Sequence, residues 1–225
     1  MPPDPVRELI DLGQPHFTVL EDFPEARAFW WPRFVRIANW FANWDAQRRT
    51  AIGTLIAEIR GAIEIPLDEG SFKLRGIADR IERLADGRYA ILDYKTGAVP
   101  TERQVRIGLA PQLTLEAAML HGGGFASVPA GASVAELVYV RLKGGYPAGE
   151  QRALKFKDGT PDGHAAHALE KLTELARRFD DDTMPYSSLV HPMWSARYGD
   201  YDHLARVKEW SSTGGAIDES EIVPT

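Results

Sequence analysis

The stretch from Phe72 to Gly97 constrains the fold more than any other part of the chain. Phe72 and Leu74 alternate with Lys73 and Arg75, the period of a half-buried strand. After Gly76 the phase changes, so that Ile77, Asp79 and Ile81 share a face; a strand glycine at a phase change predicts a bulge. Asp86-Gly87 is a turn signal, and Tyr89 to Lys95 reads as a buried strand ended by Thr96-Gly97. With Ala85-Asp86-Gly87 as a three-residue loop and Gly87 in the left-handed position, the pairing centres on residue 86. Asp79 then lies opposite Asp93.

Directly opposed carboxylates destabilise a sheet unless a cation compensates. Side chains at i and i+2 of a strand share a face, so Asp93 and Lys95 emerge together at the end of the apolar strip Tyr89–Ile91. Two readings follow. The acid and the amine form a plain ion pair, or the two aspartates hold a divalent ion beside a lysine that handles water or phosphate. Mg²⁺ suits the second reading, because it takes one or two carboxylates plus waters and phosphate oxygens. The spacing alone leaves both open.

Around this hairpin the chain divides into four segments. Residues 1–25 carry five prolines and read as an irregular lead-in. Residues 26–60 form an aromatic-rich helical segment in which Trp30, Phe34, Ile37, Phe41 and Trp44 recur on one helical face, with Pro32 placed near the helix start. Such a stripe can stack bases, but it is more often a packing face. Residues 61–180 form the core, with a short helix from Pro111 to His121, a strand from Val134 to Leu142, a short strand around Ala153–Phe156 and an amphipathic helix from Gly163 to Phe179. Residues 181–225 read as a tail packed on that core by its aromatics. The order of elements implies a central sheet flanked by helices, an α/β or α+β domain.

Composition closes off other classes. The 225 residues contain no cysteine, which excludes disulfides, zinc ribbons, a cysteine-ligated iron–sulfur cluster and a thiol nucleophile in this chain. No apolar run reaches the length of a membrane helix, and Met1-Pro2-Pro3-Asp4-Pro5 has neither the basic nor the apolar region of a signal peptide, so a cytoplasmic location is expected. Gly122-Gly123-Gly124 has no following lysine and reads as a helix stop, so no ATP site is expected. His164 and His167 stand at i, i+3 without a third ligand and read as a surface helix. The formal charge of −6 argues against bulk coating of nucleic acid and leaves room for a local basic rim.

Taken together, Gly76-Ile77-Ala78-Asp79-Arg80-Ile81, Asp93-Tyr94-Lys95-Thr96-Gly97 and Gln112-Leu113 at a helix start resemble the RecB-like branch of the PD-(D/E)xK nuclease superfamily. Trp30-Trp31-Pro32-Arg33-Phe34, Gly108 to Leu113 and Gly199 to Val207 are similar to the C-terminal nuclease region of AddB-type double-strand-break repair proteins. The resemblance implies a restriction-endonuclease-like mixed sheet and metal-dependent, exonuclease-type hydrolysis of DNA. It implies Mg²⁺, with Mn²⁺ able to substitute, and an AddA-type partner subunit of a helicase–nuclease complex. Asp79 and Asp93 would hold the metal, with the Tyr94 backbone carbonyl as a further ligand. Lys95 would position the attacking water or stabilise phosphate charge, and Gln112 would steady Lys95 or the DNA backbone. Arg80, Arg103 and Arg106 are candidate DNA contacts. Two departures stand out. The upstream His or Glu motif of the family is not found, Glu58 and Glu64 being only generic candidates, and Glu116 occupies the place where an aromatic often follows the glutamine. An incomplete site would leave a nuclease-fold module that binds DNA or scaffolds a partner.

Overall fold

A computed structural model describes residues 2–68 and 70–185. Residues 1–178 form one compact unit; from residue 179 the chain belongs to a second unit, and the expected tail packing and the Gly199–Val207 run lie outside the described residues. The elements are α1 (Pro5–Gly13), a 3-10 turn (Gln14–Leu20), α2 (Pro24–Arg49), β1 (Ile52–Leu67), β2 (Gly70–Leu84), β3 (Tyr89–Lys95), α3 (Glu102–Arg106), α4 (Gln112–His121), β4 (Val134–Leu142), β5 (Gly149–Ala153) and α5 (Pro161–Asp180).

The five strands lie in the order β1-β2-β3-β4-β5. All neighbours are antiparallel except β3 and β4, which run parallel and are joined by a crossover through α3 and α4. The sheet is therefore mixed and flanked by helices, as expected. Its two faces carry separate cores. One holds Ile81, Ile91, Leu137 and Tyr139 against Leu113, Ala117 and Leu120 of α4. The other holds Ala90, Leu92, Val138 and Val140 against Trp40 and Trp44 of α2.

The hairpin register agrees with the reading from the turn. Gly87 has φ of 87°, the left-handed conformation that glycine adopts without steric cost. Arg80 pairs with Leu92 and Ile81 with Ile91, so one further step along the register brings Asp79 to the level of Asp93. The phase change, however, does not occur at Gly76. Leu74 and Ala78 pack into the same core, Gly76 faces Met119, and Ile77 is 50% exposed. The flip comes at Asp79: Ala57 pairs with Arg80 and Ile59 with Ala78, but Glu58 and Asp79 between them do not pair. Glu58 has φ of 49°, uncommon for a residue with a side chain. The irregularity that re-aims the strand therefore lies on β1, which the pattern of β2 alone does not reveal.

Three other expectations change. The lead-in is helical: Pro5 occupies the first turn of α1, and the Asp4 carboxylate caps it by accepting from the Arg7 amide at 3.0 Å. Pro15 and Pro24 likewise sit at element starts, where proline has no amide bond to lose. Pro32 lies inside α2, which starts eight residues before it and ends at Arg49, so the helical segment stops short of residue 60. The short late strand is Gly149–Ala153 rather than Ala153–Phe156.

The aromatic stripe of α2 divides by depth. Trp31 and Phe34 pack with Phe17, while Phe41 and Trp44 pack against Tyr94 of β3. Trp30 remains 53% exposed. Beneath α2 runs a buried ion network centred on Arg80. Its guanidinium donates to Asp45 Oδ1 at 2.6 Å and to Glu82 Oε1 at 2.7 Å. Arg48 reaches Glu82 and Glu136, and Arg49 reaches the other oxygen of Asp45. Burial pushes the Asp45 carboxyl up, but the bonds from Arg49 and Arg80 outweigh it and hold the group below its ordinary value. Arg80 is 3% exposed and therefore cannot meet a DNA phosphate.

A candidate acidic site at the end of the parallel strand pair

The C-terminal end of β3, the start of α4 and the strand partner β2 bring together Asp79, Asp93, Lys95 and Gln112. Asp93 is buried at 2% exposure because β4 lies beside it, with Tyr139 in register, and α4 covers the same face. Lys95 Nζ donates to Asp93 Oδ1 at 2.9 Å and to Gln112 Oε1 at 3.1 Å. The same nitrogen is 2.8 Å from Asp93 Oδ2, an ion contact without an aligned hydrogen bond. Gln112 Nε2 donates to Asp93 Oδ1 at 2.7 Å and to Glu116 Oε1 at 3.2 Å. The glutamine thus offers its oxygen to the ammonium and its nitrogen to the carboxylates, the only orientation that satisfies both.

Asp79 is half-buried, and its Oδ2 accepts from the Tyr94 amide at 2.8 Å. It therefore ties β2 to β3 just beyond the Arg80–Leu92 pair. Tyr94 itself turns to the opposite face, toward the Arg80 network. Arg103 and Arg106 are exposed on α3, and Arg106 lies 3.7 Å from Asp158.

Sequence reasoning passed over Glu116 as a site residue. It is 4% exposed, and its Oε2 has no hydrogen-bond partner. The signal was available: a carboxylate four residues after Gln112 on a helix shares its face. Burial, with Asp93 and Asp79 nearby, raises its carboxyl from the ordinary value to about 7, although the Gln112 bond pulls the other way. Burial likewise pushes the Asp93 carboxyl up, against the pull of Lys95.

The Glu116 shift has a consequence for stability. Between the ordinary carboxyl value of 4.5 and about 7, the folded state holds a proton that the unfolded chain has released. Stability should therefore fall as pH rises through that window, by about 3 kcal/mol in all. Glu116→Gln should remove this slope and be the more stable protein at pH 8. Urea unfolding of both proteins at pH 5 and pH 8 in EDTA measures it; parallel pH dependences would show that Glu116 titrates normally.

The donor set is all oxygen, two of its buried oxygens lack an aligned donor, and of the three carboxylates Asp79, Asp93 and Glu116 the Lys95 ammonium pairs with Asp93. These features fit a hard divalent cation better than a closed ion pair. Among the described residues, no three of the His, Cys, Asp or Glu side chains converge into a ready-made metal cage. Such a cation would therefore keep waters of its own. Among the same residues, no helix is long and apolar enough to cross a membrane.

A mixed five-stranded sheet with this cluster at the end of its parallel pair defines a restriction-endonuclease-like domain. The model of the PD-(D/E)XK nuclease superfamily matches residues 7–192, and the chain belongs to that superfamily. A Rickettsia bellii protein described as uncharacterized is 26% identical over 215 residues, covering 89% of this chain and 25% of the relative. A Rickettsia typhi protein, also described as uncharacterized, is 34% identical over 119 residues, covering 52% of this chain and 14% of the relative. The chain thus spans a quarter or less of the length of these relatives. The solved structure of SSO0001 aligns with 59% of this chain and 54% of its own, at 13% identity and a TM-score of 0.31.

Proposed function

We propose that this chain is a divalent-metal-dependent deoxyribonuclease domain that hydrolyses DNA phosphodiester bonds at the Asp79–Asp93–Lys95–Gln112 cluster. The observation that carries the reading is the bonding of Lys95 to both Asp93 and Gln112, on a chain of the PD-(D/E)XK superfamily. Asp79, Asp93 and the Tyr94 backbone carbonyl would hold Mg²⁺, with Mn²⁺ as substitute. When bound, the ion lowers the pKa of a coordinated water and neutralises charge developing on the phosphoryl oxygens.

The protein's own groups do the rest. Asp93 presents a carboxylate whose burial keeps bulk water off one side. Lys95, half-exposed beside it, directs its ammonium to the scissile phosphate or the attacking water. Gln112 keeps that ammonium from collapsing wholly onto Asp93 by sharing it. Arg103 and Arg106 on α3 offer charge to the flanking DNA backbone. We extend the proposal to exonuclease action within a cytoplasmic AddB-type repair subunit paired with an AddA-type helicase–nuclease partner; what supports it is the likeness of Trp30–Phe34 and Gly108–Leu113 to the nuclease region of such subunits.

Linear single- and double-stranded DNA incubated with Mg²⁺ should be cleaved by the wild type, and neither by Asp93→Asn nor in EDTA. Equal cleavage by Asp93→Asn would trace the activity elsewhere. Absence of cleavage by a folded wild type, with DNA binding retained, would favour a binding module.

A further inference from the structure

We infer that Glu116 is a third carboxylate of the divalent-cation site, facing the ion through the ion's own water shell. The inference rests on the metal-dependent reading above and adds a residue to it.

The geometry begins with one nitrogen. Gln112 Nε2 donates to Asp93 Oδ1 at 2.7 Å and to Glu116 Oε1 at 3.2 Å. The two carboxylates therefore flank a single amide and cannot be farther apart than those two bonds laid end to end. Both are buried, at 2% and 4% exposure. Glu116 Oε2 has no partner, while Asp93 Oδ2 has only the unaligned ion contact with Lys95 Nζ at 2.8 Å. A buried carboxylate oxygen with no partner is costly, and a native protein keeps one where a ligand completes it.

The protein supplies no donor to Glu116 Oε2 from within. The Lys95 ammonium bonds to Asp93 and Gln112; its charge acts on Glu116, but it gives that carboxylate no hydrogen bond. The missing partner of the ionised Glu116 must bring donors or positive charge beside the carboxylates of Glu116 and Asp93. A neutral ligand brings no charge, and an anion adds to the repulsion. A small hard cation carrying water brings both: the ion compensates the charge and its water protons satisfy the oxygens. Direct ligation by all three acids is not what the arrangement offers, since no three such groups converge among the described residues. Glu116 accordingly acts as an outer carboxylate.

The test is calorimetric titration of Mn²⁺ into the wild type, Glu116→Gln and Asp93→Asn, with thermal unfolding of each in EDTA. Glu116→Gln keeps the shape and the Gln112 contact but loses the charge. Its Mn²⁺ affinity should fall about 10- to 100-fold, the usual cost of an outer-shell partner, while its midpoint in EDTA is no lower than the wild type's. Asp93→Asn should show no binding. Wild-type affinity in Glu116→Gln would overturn the inference and leave the metal site standing. No Mn²⁺ binding by the wild type would remove the metal reading and the inference together. Where Glu116→Gln does not fold, Glu116→Asp carries the test: weakened binding supports the inference and unchanged binding overturns it.

Discussion

Replacing Lys95 by alanine should lower Mg²⁺-dependent cleavage of linear DNA by ~10²–10³-fold, the scale on which removal of one donor to developing transition-state charge is felt. Two effects add. The ammonium that stabilises charge on the phosphate is gone. The Asp93 carboxylate also loses its ion pair with Lys95, at 2.8 Å. Burial already pushes Asp93 upward, and Lys95 is the main force holding it down. Without that lysine the carboxyl protonates at higher pH, so residual activity should climb further into the alkaline range than in the wild type. Initial rates from pH 6 to 9, at a temperature where both proteins are folded, give both numbers. Activity within threefold of the wild type would remove Lys95 from the chemistry.

The second large effect is on stability. Arg80→Ala should cost about 3–5 kcal/mol, because it leaves Glu82 and Asp45 buried and short of one partner each. For a chain of this size that corresponds to a fall of roughly 6–20 °C in the unfolding midpoint. The network also includes Arg48, Arg49 and Glu136, so it ties α2 to β2 and β4 across one face of the sheet. Tyr94 receives a bond from Arg80 at 3.3 Å on that face, and its amide donates to Asp79. Loosening the network should therefore reach the acidic site through β3. A scan showing an unchanged midpoint, with DNA affinity lowered instead, would return Arg80 to the role of a phosphate contact.

Much of the candidate site's geometry was legible in the sequence because it is local. Asp79 and Asp93 are related by one hairpin whose turn residues declare its centre, and Asp93 and Lys95 by the two-residue period of a strand. Gln112 could be placed at a helix start from Pro111 and the apolar run after it. What escaped depends on distant partners. Arg80 looks like a surface cation beside an aspartate until Asp45 and Arg48, over thirty residues earlier, fold over it on α2. The strand phase follows Glu58, on the neighbouring strand. The prolines of the first 25 residues signal helix starts as readily as loops, and only the packing of Phe17 on Trp31 and Phe34 distinguishes them. Glu116 had a local signal in its helical spacing from Gln112. Its significance comes from burial and an unpartnered oxygen, which no spacing reveals.

The most direct test of the metal-dependent reading is anomalous diffraction from crystals of the wild type soaked in Mn²⁺. A single strong peak against the carboxylates of Asp79 and Asp93, absent in Asp93→Asn, is the expected result. A map with no peak there, at Mn²⁺ concentrations that support cleavage in solution, would make the cluster a structural ion pair and move the chemistry elsewhere in the chain.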